Sequence, residues 1–147
     1  MVNKAQHDTA YFGRTAVVDS DTDAAERLVT CLTSEDFAVD RISSVNDLLA
    51  RLCKQQYDAL ILGIDAHGMK CYELIPLIRE IDDQLPVIVT SSDDSLEVAT
   101  RVREQGIFYY VLKPVDIAEI KMVLKNALQR RSLWFQRQKR SGNQRQG

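Results

Sequence analysis

Residue types able to do chemistry cluster where five short apolar runs end. Asp19, Ser20 and Asp21 follow the first run, Gly63 and Asp65 the third, and Ser91 and Ser92 the fourth; Tyr110 and Lys113 lie on and after the fifth. If these runs are parallel strands, their carboxyl ends converge on one edge, where open α/β sheets bind ligands. Acidic groups, a hydroxyl and a lysine would then share a shallow pocket. Taken singly, each residue has a plainer use: Asp21 and Ser92 are good helix caps, and Lys113 is a good solvated loop residue. Their joint placement is what points to a pocket. Gly63 sits at the centre of that edge, yet a glycine has no heteroatom with which to attack an electrophile or carry an adduct.

The elements that must position these residues follow from periodicity. Arg14–Asp19 is a β-branched run that reads as a strand. Asp21 or Thr22 can cap a helix with Ala25, Leu28, Val29 and Leu32 on one face. Phe37–Ile42 alternates as a strand does, and Ser44 caps a helix with Asp47 three residues on. Asp58–Gly63 is almost wholly apolar, as a central parallel strand covered on both faces must be. A third helix carries Leu74, Ile75, Ile78 and Ile81. Pro86–Thr90 is a fourth strand, and Ser92 or Asp93 caps a helix that Gly106 ends. Phe108–Leu112 is a fifth strand, and a last helix runs from Asp116 through Leu124 and Leu128. Five βα units with short connections and right-handed crossovers predict an α/β fold: a doubly wound, three-layer parallel sheet of five strands in order 2-1-3-4-5.

Composition narrows the class. The 147 residues suit one domain with an appendage, and no apolar run is long enough to cross a bilayer. Residues 1–13 lack the apolar core of a secretory signal and read as a disordered leader. The three cysteines, Cys31, Cys53 and Cys71, form no CxxC pair. Cys31 and Cys53 fall among apolar helix positions as small buried hydrophobes, and reduced thiols fit a cytoplasmic protein. The net charge of −2 conceals six basic residues and no acidic one in residues 130–147, leaving residues 1–129 at −8. The domain is thus expected over 14–129, with 130–147 a basic helical extension or linker.

Four stretches, VVDSD (17–21), YDALILGIDAHGM (57–69), PVIVTSS (86–92) and YVLKP (110–114), resemble the response-regulator receiver domain of two-component phosphorelay signalling. The resemblance covers about residues 14–130 and implies the flavodoxin-like fold. In that family an acidic pair after the first strand holds magnesium, and an aspartate ending the third strand accepts a phosphoryl group. A Ser or Thr and a lysine hold the phosphoryl oxygens, and an aromatic ring acts as the switch. Residue by residue, this places Asp19 in the acidic pair, Ser91 at the hydroxyl, Lys113 at the lysine and Tyr110 at the switch, with Lys113–Pro114 at the family's cis peptide.

Four positions depart from the pattern. Ser20 stands for the second acidic residue, Gly63 for the phosphoacceptor, His67 for a proline and Cys71 for a glycine. The resemblance therefore implies a pseudo-receiver, a non-enzymatic module that binds protein partners without aspartyl phosphorylation. No cofactor is expected: magnesium needs several hard oxygen ligands, and only Asp19 and Asp65 remain as candidates. Asp65, two residues past Gly63, is expected to point its side chain away from the pocket. The family's contact surface implies a homodimer through the fourth helix, fifth strand and fifth helix, and part of the apolar stripe of Leu124, Leu128 and Trp134 is expected to lack an intradomain partner.

A different class of function is a nucleic-acid-binding transcriptional regulator, with the basic tail on phosphates and Trp134 or Phe135 stacking on bases. Against it, the acidic body repels polyanions, so tail binding is expected to be weak and non-specific. A flavodoxin-like nucleotide-binding enzyme is disfavoured, because VDSDTD offers no glycine-rich phosphate loop after the first strand.

Overall fold

The structure, a computed structural model, describes residues 13–146, with side chains to Ser141. All but the last residue of the expected leader lie outside the described residues. Twelve elements follow in chain order: β1 (Arg14–Val18), α1 (Thr22–Ser34), β2 (Ala38–Arg41), α2 (Val45–Cys53), β3 (Ala59–Gly63), β4 (Asp65–Ala66), β5 (Met69–Lys70), α3 (Cys71–Ile81), β6 (Val87–Ser91), α4 (Leu96–Arg103), β7 (Tyr109–Leu112) and α5 (Ile117–Gln146). Five strands pair in the order β2-β1-β3-β6-β7, all in parallel. With the β4–β5 hairpin set aside, that is the order 2-1-3-4-5 expected from the sequence. Every residue of β3 and β6 is buried, which is why both strands read as unbroken apolar runs.

Two cores flank the sheet. One packs α2 and α3 through Leu48, Leu52, Leu74, Ile75 and Ile78, and the other packs α1 and α5 through Leu28, Leu32, Leu124 and Leu128. Leu124 and Leu128 are 0% and 3% exposed, so the part of the stripe expected to lack an intradomain partner does not include these two. The reason is that α5 lies along the sheet for longer than its pattern suggested. Burying each leucine contributes about 1.5–3 kcal/mol.

Helix starts follow local chemistry. The Asp21 side chain accepts from Ala24 N at 3.1 Å and that of Ser44 from Asp47 N at 3.0 Å. For α4 the cap is Ser95, which accepts from Val98 N at 3.3 Å, and not Ser92 or Asp93. Ser91 Oγ and Asp93 Oδ1 are instead spent turning the preceding loop, accepting from Asp93 N and Ser95 N at 2.9 and 2.8 Å.

Two further expectations change. The segment after β3 is not a plain loop: Asp65–Ala66 pairs antiparallel with Met69–Lys70. His67 and Gly68 make its turn at φ +48° and +94°, the left-handed pair that a two-residue hairpin requires. Cys53 is exposed, because it falls at the end of α2, where its side chain clears the core; Cys31 is half-buried. Among the described residues no helix is long and apolar enough to cross a membrane.

Candidate functional site

The strand ends converge as the topology requires, and Gly63 is filled from the neighbouring strand. Parallel pairing sets Val18 beside Leu62, so Asp19 follows beside Gly63. The Asp19 side chain lies over the glycine: a Cβ added at residue 63 would stand 2.5 Å from Asp19 Cγ and Oδ1. A Cβ essentially never approaches a neighbour so closely, and residue 63 cannot carry a side chain while Asp19 holds this position. Asp19 is nonetheless buried, and its charge is matched. Lys113 Nζ lies 2.7 Å from Asp19 Oδ2, and Asp21 N donates to Oδ1 at 2.9 Å. Asp21 adds a longer contact to Lys113 at 3.8 Å. The Lys113–Pro114 bond that presents the lysine is cis.

Ser20 points the other way. Its N–H donates to Asp65 O at 3.0 Å and its Oγ accepts from His67 N at 2.7 Å, tying the β1–α1 loop to the hairpin. The Asp65 side chain turns outward to pair with Lys70 across the hairpin, away from Lys113. That contact raises the Lys70 pKa, chiefly through the hydrogen bond to Asp65. His67 contributes only its backbone to Ser20, and its Nε2 is buried without a partner. Cys71 N donates to Ile64 O at 2.8 Å, and burial pushes the Cys71 thiol up to about 11, so it stays protonated at neutral pH.

Ser91 and Tyr110 are linked through a single residue. The buried Ser91 Oγ accepts from Asp93 N, while Tyr110 OH donates to Asp93 O at 3.0 Å. The Ser95 backbone N–H first, and its side chain second, hydrogen-bond the Asp93 carboxyl and hold it below its ordinary range. Arg103 sits 5.4 Å from the centre of the Tyr110 ring. The hydroxyl expected to face an oxyanion thus holds the β6–α4 loop, and the expected switch ring is anchored to that same loop.

The pocket therefore gathers Asp19, Gly63, Ser91 and Lys113 and leaves Ser20 and Asp65 to the hairpin. What sequence reasoning missed is the lodging of Asp19 over Gly63. The signal was present in the register, since a strand offset that pairs Val18 with Leu62 places an acidic side chain next to an empty one.

Comparison with known proteins agrees with this frame. The sequence pattern of the response regulator receiver domain matches residues 15–125. The chain is 31% identical over 116 residues to the DNA-binding transcriptional regulator NtrC of Proteus hauseri, covering 79% of this chain and 24% of that protein. It is 27% identical over 113 residues to the transcriptional regulatory protein GlrR of Escherichia coli (strain K12), covering 77% and 26%. The chain spans about a quarter of the length of these relatives. A putative response regulator from Chloroflexus aurantiacus J-10-fl superposes with a TM-score of 0.73 at 26% identity, over 79% of this chain and 97% of that one. A CheY-like receiver domain protein from Methanospirillum hungatei JF-1 shares the fold, with a TM-score of 0.72 at 21% identity over 81% and 95%. With its five-stranded parallel sheet, its lysine before a cis proline and a family match over most of its length, the chain belongs to the response-regulator receiver domain family of two-component signalling.

Proposed function

We propose that this chain is a pseudo-receiver, a signalling module that works by protein–protein contact without aspartyl phosphorylation. The observation that carries the reading is the Asp19 carboxylate lodged where a side chain at residue 63 would begin, and closed there on Lys113. The lysine that would neutralise an incoming phosphoryl group is already neutralised by a fixed internal anion.

The residues present do not fit magnesium. Asp19 is committed to Lys113 and to Asp21 N, Ser20 Oγ to His67 N, and Asp65 to Lys70, while Gly63 offers nothing. A hard cation that wants six oxygen ligands would have to displace Lys113 from Asp19 before Asp19 and the exposed Asp21 could serve together. Ser91 and Tyr110 support the same reading, since both are engaged by Asp93 and neither is poised to respond to a new anion.

Output would pass through the face of α4, β7 and α5. Leu96 is 77% exposed there, with Tyr109, Leu112 and Met122 also exposed. A run of exposed large apolar groups on one face suits a protein partner better than water.

Intact-mass spectrometry after incubation with acetyl phosphate and magnesium tests the central point. The expected mass is unchanged. A stoichiometric phosphoryl adduct on Asp19, Asp65 or any other side chain of this pocket would overturn the proposal.

A further inference from the structure

At the edge of the sheet opposite the receiver pocket, α5 continues past the domain and makes one wall of a groove of about 620 Å³. The other walls are the α3–β6 turn and the loop before β7. A groove this size matches a nucleotide-sized ligand. Four arginines line it against a single carboxylate, Asp83, in a body that is otherwise acidic.

Two of those arginines are structural. Arg79 donates to Leu85 O at 2.5 Å and to Gly106 O at 3.0 Å, and Arg131 is bound to Asp82. The other two are free to take a ligand. Arg130 and Arg137 are exposed, and neither has a carboxylate within ion-pair distance among the described residues. They lie seven residues apart with Trp134 between them, so all three share one face of the helix. Trp134 is half-buried and lines the groove, and Phe108 lies across it, 5.6 Å beneath the Arg130 guanidinium. Two aromatic rings flanked by two forked cations form a site for a flat ring that carries negative charge.

We propose that this groove binds a mononucleotide, its base against Trp134 and its phosphates on Arg130 and Arg137. A long strand is the poorer occupant: only a short stretch of it fits the groove, and the rest would run onto a body that carries −8 over residues 1–129. The site is remote from Asp19 and Lys113, so it stands or falls independently of the pseudo-receiver reading.

Trp134 is the only tryptophan in the chain, and its fluorescence reports on the groove directly. The intact chain is titrated with ATP and GTP, with adenosine, with pyrophosphate, and with a single-stranded oligonucleotide. A saturable emission change is expected with at least one nucleotide and with neither adenosine nor pyrophosphate at the same concentration. Arg130→Gln with Arg137→Gln should weaken nucleotide binding at least about ten-fold, the loss of two charge-assisted contacts, and leave the melting temperature unchanged because both residues are exposed. No saturable change with either nucleotide up to about 1 mM would overturn the proposal. So would equal binding of pyrophosphate, tighter binding of the oligonucleotide, or full affinity in the double variant.

Discussion

At the scale of single residues, the pocket is governed by steric exclusion at one glycine. Nothing in the backbone demands glycine at residue 63, whose φ is not in the left-handed region. The demand comes from Asp19 overhead. Gly63→Ala should therefore destabilise the domain by about 1–3 kcal/mol, the usual cost of overfilling a packed site. Asp19→Ala should also destabilise, by leaving Lys113 without its closest partner. In the double variant the added methyl finds the vacated space, and its cost should largely vanish. A non-additivity of about 1 kcal/mol or more in thermal melts is the expected signature of two groups contending for one volume. Simple additivity would mean that Asp19 does not occupy the space above residue 63.

At the scale of elements, α5 joins the domain to what protrudes from it, and its junction is set by Arg131. That side chain is 3% exposed, bonded to Asp82 at the end of α3, 4.0 Å from Asp58 before β3, and stacked under Phe135 at 4.6 Å. Arg131 thus packs against the domain two residues past Gln129, where the charge pattern places the domain's end. A chain ending at Gln129 should lose about 3 kcal/mol, because Asp82 keeps a largely buried charge without its hydrogen-bonded counterion. One ending at Phe135 should melt close to the intact chain. Equal melting temperatures for the two truncations would refute the anchoring role. This contact shows where sequence reading stops. Alternating and helical periods located the five main strands and five helices, because burial imposes those periods directly. A lone arginine among basic neighbours carries no such period, and only the fold brings Asp82, 49 residues away, to its side. The hairpin after β3 was hidden for a similar reason, since two-residue strands are too short to show alternation and its turn uses His67 where asparagine or glycine is usual.

At the scale of the whole molecule, the two ends of the sheet differ in charge, although the amino end also holds Asp58, Asp82 and Asp83. The carboxyl edge carries Asp19, Asp21, Asp93 and Asp94, while the other edge carries the arginine groove and the basic end of α5. The apolar face of α4, β7 and α5 lies between them. With Leu124 and Leu128 buried, self-association through this face would use Leu96, Tyr109, Leu112 and Met122. Leu112→Glu should accordingly convert a dimer measured by light scattering into a monomer, while truncation after Phe135 should leave the dimer intact. A wild-type chain that stays monomeric at high concentration, or a dimer that survives Leu112→Glu, would remove this face as the contact surface. The basic end contributes less to polyanion binding than its composition implies, because Arg131 is consumed inside the domain.

The lodging of Asp19 over Gly63 also bears on history. With Asp19 in this position, a single substitution placing a carboxylate at residue 63 meets a steric clash and a second negative charge at the same point. The way back needs Asp19 to withdraw first, and Lys113 holds it in place. On the proposed pseudo-receiver reading this arrangement would act as a ratchet: Gly63→Asp made while Asp19 keeps its place is expected to be less stable than the present state, so one substitution alone would not supply a working phosphoacceptor.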